Sequence, residues 1–270
     1  MKVTAKITDL VKNIWENREM LLSLSRKDFV RKFSGTYFGA LWSFIQPVLT
    51  ILIYWMVFQF GFRSGDVGDI PFVVWFICGI APWLYISEAV SIASNSFVEY
   101  SYLIKKVKFN INILPLVKIV SSFYIHLFFI AIITVISSLF GYYPKLYYLQ
   151  LVYYMLSTML FLFSLTLLTS SIVVFFRDLN QIINILLLIG MWGTPIAWSL
   201  SNFPDAKIQF VLKLNPFFYL IEGYRDSILA RAWFWEKPLL SMYFWGVVLI
   251  HFVLGTIVYS RLKSHFADAL

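Results

Sequence analysis

An all-α, polytopic membrane fold is what this 270-residue sequence predicts, and three observations carry that reading. Six long apolar stretches run through the chain, most without a charge at their centres. Charged residues make up only 13%, against about 25% in ordinary soluble domains. The basic residues also collect on alternate connecting segments. A hydrocarbon core about 30 Å thick requires roughly 20 mostly apolar residues per crossing. Backbone polar groups find no water there, so such stretches are helices rather than loops.

The first element is residues 1–36, ahead of a transmembrane domain spanning 37–270. Ile7, Leu10, Val11, Ile14, Leu21 and Leu22 recur at helical spacing, with Lys6, Lys12, Glu16 and Glu19 largely elsewhere on the wheel. This predicts an amphipathic helix lying in the membrane interface, with Trp15 at headgroup depth. It is either a plain juxtamembrane anchor or the border of an inner-leaflet entrance for a lipid-like substrate. Residues 1–33 hold eight Lys/Arg, four acids and no uninterrupted apolar core, unlike a signal peptide.

Six spans are predicted at 37–61, 72–97, 111–140, 148–176, 181–200 and 239–262. Pro82 predicts a kink in the second, and Pro195 an end or bend in the fifth. Between the second and third lies EYSYLIKKVKFN at 99–110, polar and basic with a short apolar ridge of Leu103, Ile104 and Val107. That ridge needs cover, from a cytosolic protein partner or from lipid. The loop after the fourth span is a tight turn at Arg177-Asp178. Residues 201–237 carry Pro204 and Pro216 among apolar runs too short to span, which suits extracellular re-entrant or interfacial helices before the last crossing.

With the N-terminus inside, 15 of the 22 Lys/Arg fall on cytoplasmic segments, so the positive-inside bias puts both termini in the cytosol. The net charge of +8 therefore orients helices and gives no reason to expect a nucleic-acid partner. One cysteine, Cys78, excludes an intramolecular disulfide. No GxxxxGK[ST] phosphate loop is present. His126, His251 and His265 are scattered and form no metal-ligand pattern, and no triad or paired-carboxylate spacing appears. The chain reads as no enzyme, and uphill movement would take its energy from a partner or an ion gradient. Glu88 and His126, inside predicted spans, are either buried against polar neighbours or functional. Aromatic residues make up 20%. Those at span ends fit interfacial belts, while some rings would suit a pathway where flat faces stack on sugars.

Several motifs then carry a likeness. GALWSFIQPVLTILIYWMVFQFGFR at 39–63, IPFVVWFICGIAPW at 70–83 and NSFVEYSYLIKKVKF with ILPL up to 116 come first. Arg177-Asp178, TPIAW, LNPFFYLIEGYRDSIL at 214–229 and the terminal HFADAL follow. In order and spacing the chain resembles, nearly end to end, the permeases of ABC-2 type polysaccharide exporters, most closely those of wall teichoic acid export; O-antigen and capsular permeases are the alternative. The resemblance implies a homodimer of six-span subunits in the bacterial cytoplasmic membrane, paired with two copies of a separate ATP-binding subunit that holds ATP and Mg. The cargo would be a polyprenyl-pyrophosphate-linked polymer moved outward.

By the same likeness, 99–110 is a coupling helix on the ATPase, with Glu99, Tyr102, Leu103, Ile104, Lys105, Lys106 and Val107 beside Arg177 and Asp178. Trp15, Arg26, Lys27, Arg31 and Lys32 flank the substrate entrance, the basic four attracting pyrophosphate. Glu222 and Arg225, three apart on one helix, brace an exit gate with Pro216. Trp83, Tyr85 and Tyr219 are the candidate pathway aromatics. The rivals are a membrane transferase acting on lipid-linked sugars, which calls for clustered Asp, Glu or His, and a gradient-driven carrier, which calls for repeats or facing ionisable groups. The sequence shows neither pattern.

Overall fold

The computed structural model describes residues 8–9, 12–32, 37–106 and 111–270, and among these every regular element is helical. Helix α1 (Arg18–Arg31) precedes the bundle. The membrane helices follow as α2 (Trp42–Met56, extended by a π-turn to Gly61), α3 (Phe72–Ser94), α4 (Leu114–Leu139) and α5 (Leu149–Val173). Then come α6 (Leu179–Gly193), the short helices α7 (Ala206–Lys213) and α8 (Pro216–Ile228), and α9 (Pro238–Leu262).

Among the described residues, five helical stretches are long and apolar enough to cross a bilayer: Trp42–Gly61, Phe72–Ser94, Ile111–Leu139, Leu146–Val173 and Pro238–Ala269. The fifth predicted span differs. α6 has 15 residues, about 22 Å at 1.5 Å per residue, short of a full crossing by itself. Pro195 supplies the reason, since its ring disfavours helical backbone at the preceding residue. Thr194 accordingly turns extended, at φ −105° and ψ 137°. Pro82, by contrast, lies inside α3, which continues as helix past it.

Burial is uneven, and that unevenness positions everything else. α3 is the axis of the bundle, with 78% of its most apolar stretch buried. It packs along α4 and against α5, α8 and α6, while α9 lies along α5. α2 is peripheral, with none of its window buried. The N-terminal helix is not simply laid on lipid. Leu21 packs with Ile113, Val117 and Val120 of the α4 region, so α1 is docked on the bundle. It also runs to Arg31, well past the predicted amphipathic stretch, while Lys6, Ile7, Leu10 and Val11 lie outside the described residues.

Candidate functional site

A polar cleft opens between α2, α3 and α6, near the end of α1. α2 supplies Trp42, Ser43, Gln46, Pro47 and Thr50, and α3 supplies Leu84, Ser87, Glu88 and Ser91. Both sets recur at three- or four-residue intervals, so each occupies one helix face. α6 adds Asn184 and Leu187, α4 adds Ile125, and Lys32 reaches in from the end of α1, enclosing about 460 Å³. Ser91 donates its hydroxyl to Asn184 Oδ1 at 3.0 Å. Lys32 Nζ donates to Glu88 Oε1 as an ion pair. Glu88 sits six residues before the end of α3, about 9 Å deep. An ion pair at that depth is costly unless water or further dipoles reach it. The side chains are 39% and 27% exposed, so the open cleft supplies that solvation. Burial lowers the Lys32 ammonium pKa from its ordinary value, with nearby Asp28 opposing the shift.

The five predicted entrance residues therefore part company. Lys32 joins the cleft, Arg26 and Lys27 line a shallower groove on α1 with Leu22, Ser23, Val30 and Tyr124, and Arg31 borders both that groove and a pocket that it shares with Lys32, Asp28, Glu99 and Lys118. Trp15 is exposed, with the Arg18 guanidinium 5.1 Å above its ring. Glu88 has the polar neighbours that one of its two sequence readings requires, in Ser43, Gln46, Thr50, Ser87, Ser91 and Asn184. Their stripe along otherwise apolar helices was the available signal.

Beneath the cleft, a buried network ties α1 to the predicted coupling segment. Lys118 Nζ donates to Asp28 Oδ1 at 2.5 Å and Glu99 Oε1 at 2.7 Å, and Tyr100 Oη donates to Asp28 at 2.7 Å. Desolvation, then the hydrogen bond to Asp28 and its charge, hold the Tyr100 phenol well above its usual pKa. Glu99 reaches Lys118 while its side chain stays 37% exposed. Tyr102 is exposed, and Leu103 and Ile104 are partly covered by the core. Lys105 and Lys106 end the short helix Ser101–Lys106, and Val107 lies outside the described residues. Arg177 and Asp178 are exposed at the α5–α6 turn. Asn180 joins that turn to the end of α3 by donating to Asn95 at 3.1 Å.

On the opposite side α8 is wedged among the long helices. Pro216 occupies its first turn, and Asn215 caps it by accepting from Phe217 N at 3.0 Å. Arg225 is fully buried. Its guanidinium donates to the carbonyls of Pro195 (2.6 Å), Ile196 (2.9 Å) and Trp75 (3.3 Å) and to Glu222 Oε1 (2.6 Å). It also lies 3.5 Å over the Trp75 ring, close against Gly79, where an added Cβ would stand 2.5 Å from Nη2. The Glu222–Arg225 pair thus forms at the predicted spacing, and Arg225 in addition satisfies carbonyls freed where Pro195 breaks α6.

The three predicted pathway rings are interior packing groups in this conformation. Trp83 meets Phe217 edge-on at 5.3 Å, Tyr85 stacks on His126 at 4.6 Å, and Tyr219 bonds Tyr153 at 2.8 Å. His126 is buried too, Nε2 lying 2.9 Å from the Tyr224 hydroxyl. Among the described residues no group of His, Cys, Asp or Glu could hold a metal ion.

The ABC-2 type transporter family matches residues 19–229. The chain is similar to an O-antigen export system permease protein RfbA of Myxococcus xanthus, at 26% identity over 97% of this chain and 99% of that protein. It is also 26% identical to a protein of the same name from Klebsiella pneumoniae, over 93% of this chain and 95% of the relative.

Proposed function

Since the chain belongs to the ABC-2 type transporter family, a family of transporter membrane subunits, we propose that it is the permease of an ATP-driven exporter of a lipid-linked, O-antigen-class polysaccharide. The relatives favour that cargo over the wall teichoic acid expected from the motifs, because O-antigen permeases match along nearly the whole chain. The chain carries no phosphate loop and no catalytic constellation. ATP and Mg therefore belong to a separate ATP-binding subunit, whose seat is the face with Tyr102, Arg177 and Asp178. A second copy supports the passage by covering α2 and the apolar face of α6, where Ile185, Leu188, Ile189 and Trp192 are exposed.

The polar cleft with its Lys32–Glu88 pair carries the mechanism. Hydroxyl and amide side chains there offer partners to a sugar, and Lys32 exchanges Glu88 for the diphosphate of an arriving lipid-linked chain. ATP-driven displacement of α2 against α3 then opens the way to the outer leaflet, where α7 and α8 border the exit. The test is transport in proteoliposomes containing the permease and its ATPase, loaded with polyprenyl-diphosphate-linked O-polysaccharide. Asn184→Leu with Gln46→Leu removes both amide side chains from the cleft. ATPase co-purification and basal hydrolysis should persist, with export lowered at least tenfold. Undiminished export would remove the cleft from the pathway. Sugar transfer by the lone chain would replace the exporter with an enzyme.

A further inference from the structure

The loop between α8 and α9 holds a feature that the transport reading leaves unused. Tyr147, Trp233 and Trp235 form a consecutive ring stack. Tyr147 and Trp233 have centroids 4.6 Å apart at 23°, and Trp233 and Trp235 are 4.5 Å apart at 9°. Trp235 ends the stack and is 56% exposed. By the same positive-inside topology, Tyr147 on the α4–α5 connection and the 229–237 loop both lie on the outer side.

The stack is built rather than incidental. Gln150, only 2% exposed at the start of α5, donates Nε2 to the Ala232 carbonyl at 2.8 Å and accepts from Phe234 N at 3.0 Å. Glu236 accepts from Trp233 N at 3.3 Å. Phe234 is stacked on Tyr153 at 4.2 Å, which fixes the loop between its two tryptophans. Lys145, Arg231 and Glu236 are exposed and lie within a few residues of the rings in sequence. The loop also continues directly into the α8 network, because Arg231 lies 3.6 Å from Glu222, the partner of Arg225.

We propose that Tyr147, Trp233 and Trp235 form a carbohydrate-stacking platform on the outer face, binding pyranose units of the polysaccharide as it leaves the permease. This rests on the polysaccharide reading above and names a second, extracytoplasmic contact for the same cargo. Aromatic faces carry negative potential and attract the slightly positive axial C–H groups on one face of a sugar ring. The sugar's hydroxyls then point sideways, to where Arg231 and Glu236 offer charged hydrogen-bond partners. An interfacial belt needs only scattered amphipathic rings, each free to rotate to headgroup level. Here rotation is blocked by stacking and by Gln150, so the Trp235 face is presented in one orientation, which lowers the ordering cost of binding. Exposed Leu146, Leu149 and Leu239 lie near in sequence, and the rival occupant is accordingly lipid.

The experiment uses the permease–ATPase complex in nanodiscs of phosphatidylethanolamine and phosphatidylglycerol. Wild type, Trp235→Leu and Trp235→Phe are titrated with a panel of hexasaccharides (maltohexaose, mannohexaose and an O-polysaccharide hydrolysate) and followed by tryptophan fluorescence and calorimetry. Saturable binding by at least one member is expected, weakened at least tenfold in Trp235→Leu and retained within threefold in Trp235→Phe. Equal affinity in wild type and Trp235→Leu overturns the platform while leaving the exporter intact. No saturable binding by any member overturns the platform too, and absence of ATPase stimulation by lipid-linked polysaccharide then sinks the exporter reading as well. Parallel nanodiscs with brominated lipid decide the rival: if the emission lost between wild type and Trp235→Phe is quenched by bromine, the ring is a membrane anchor and the platform is wrong.

Discussion

Replacing Arg225 by Met keeps a long apolar stem and removes the guanidinium. Three backbone carbonyls (Trp75, Pro195 and Ile196) and the Glu222 carboxylate then lose their donor at once. Removing one partner of a buried ion pair costs about 3–5 kcal/mol. Each buried acceptor left unpaired costs about 1–3 kcal/mol. The two contributions overlap because one group serves all four acceptors. Glu222 also keeps Arg231 at 3.6 Å and is 16% exposed, which softens its loss. The expected destabilisation is about 4 kcal/mol, near the middle of the buried-pair range. At roughly 2–4 °C per kcal/mol for a chain of this size, the melting point falls by about 8–16 °C.

The chain provides its own reporter. Cys78 is its single cysteine and is fully buried beside Arg225, so a thiol-reactive fluorophore reports opening of this region on heating. Arg225→Lys should fall between, since an ammonium cannot span carbonyls that a planar fork reaches together. Glu222→Gln should cost less than Arg225→Met, because the three carbonyl bonds survive. An Arg225→Met protein melting within about 2 °C of wild type would refute the keystone role, and Arg225→Lys matching wild type would refute the fork argument.

Gly223→Ala should destabilise by about 1–3 kcal/mol in the same thiol assay, since the added Cβ would stand 2.0 Å from the Tyr154 ring. Gly246→Ala, where nothing lies within 4 Å, should not. Asp28→Asn and Lys118→Met should couple by about 0.5–3 kcal/mol in a double-mutant cycle of melting free energies, and additivity would show that their 2.5 Å contact is energetically idle. Glu88→Gln should change stability by less than about 1 kcal/mol, because the Lys32–Glu88 pair is partly solvated, yet slow export in proteoliposomes several-fold. A large loss of stability with export unchanged per folded molecule would reverse that assignment.

Much of the molecule could be read along the chain, because a bilayer makes hydrophobic length a direct measure of structure. The five long helices, the break at Pro195 and the Glu222–Arg225 spacing are local properties, fixed by residue type and a 1.5 Å rise. What could not be read was how deeply each apolar helix is buried. Polar residues mark the cleft-facing sides of α2 and α3, but in lipid the remaining exposed surface is as apolar as the buried one, so composition does not separate α3, the buried axis, from α2 at the edge. Trp83, Tyr85 and Tyr219 went to the interior for that reason. The basic cluster likewise looked like one patch in sequence, but its members divide between two surfaces because α1 docks on α4 through Leu21 and Asp28.

The sequence by itself determined the membrane class and the long apolar helices, since both depend on composition summed along the chain. Only the tertiary structure decided that Lys32 meets Glu88 across 56 residues, that Arg225 holds the broken end of α6, and that Lys118 joins Asp28 to Glu99. Those partnerships are directional contacts between side chains distant in sequence. Packing brings them within hydrogen-bond reach, and no periodicity along the chain encodes them.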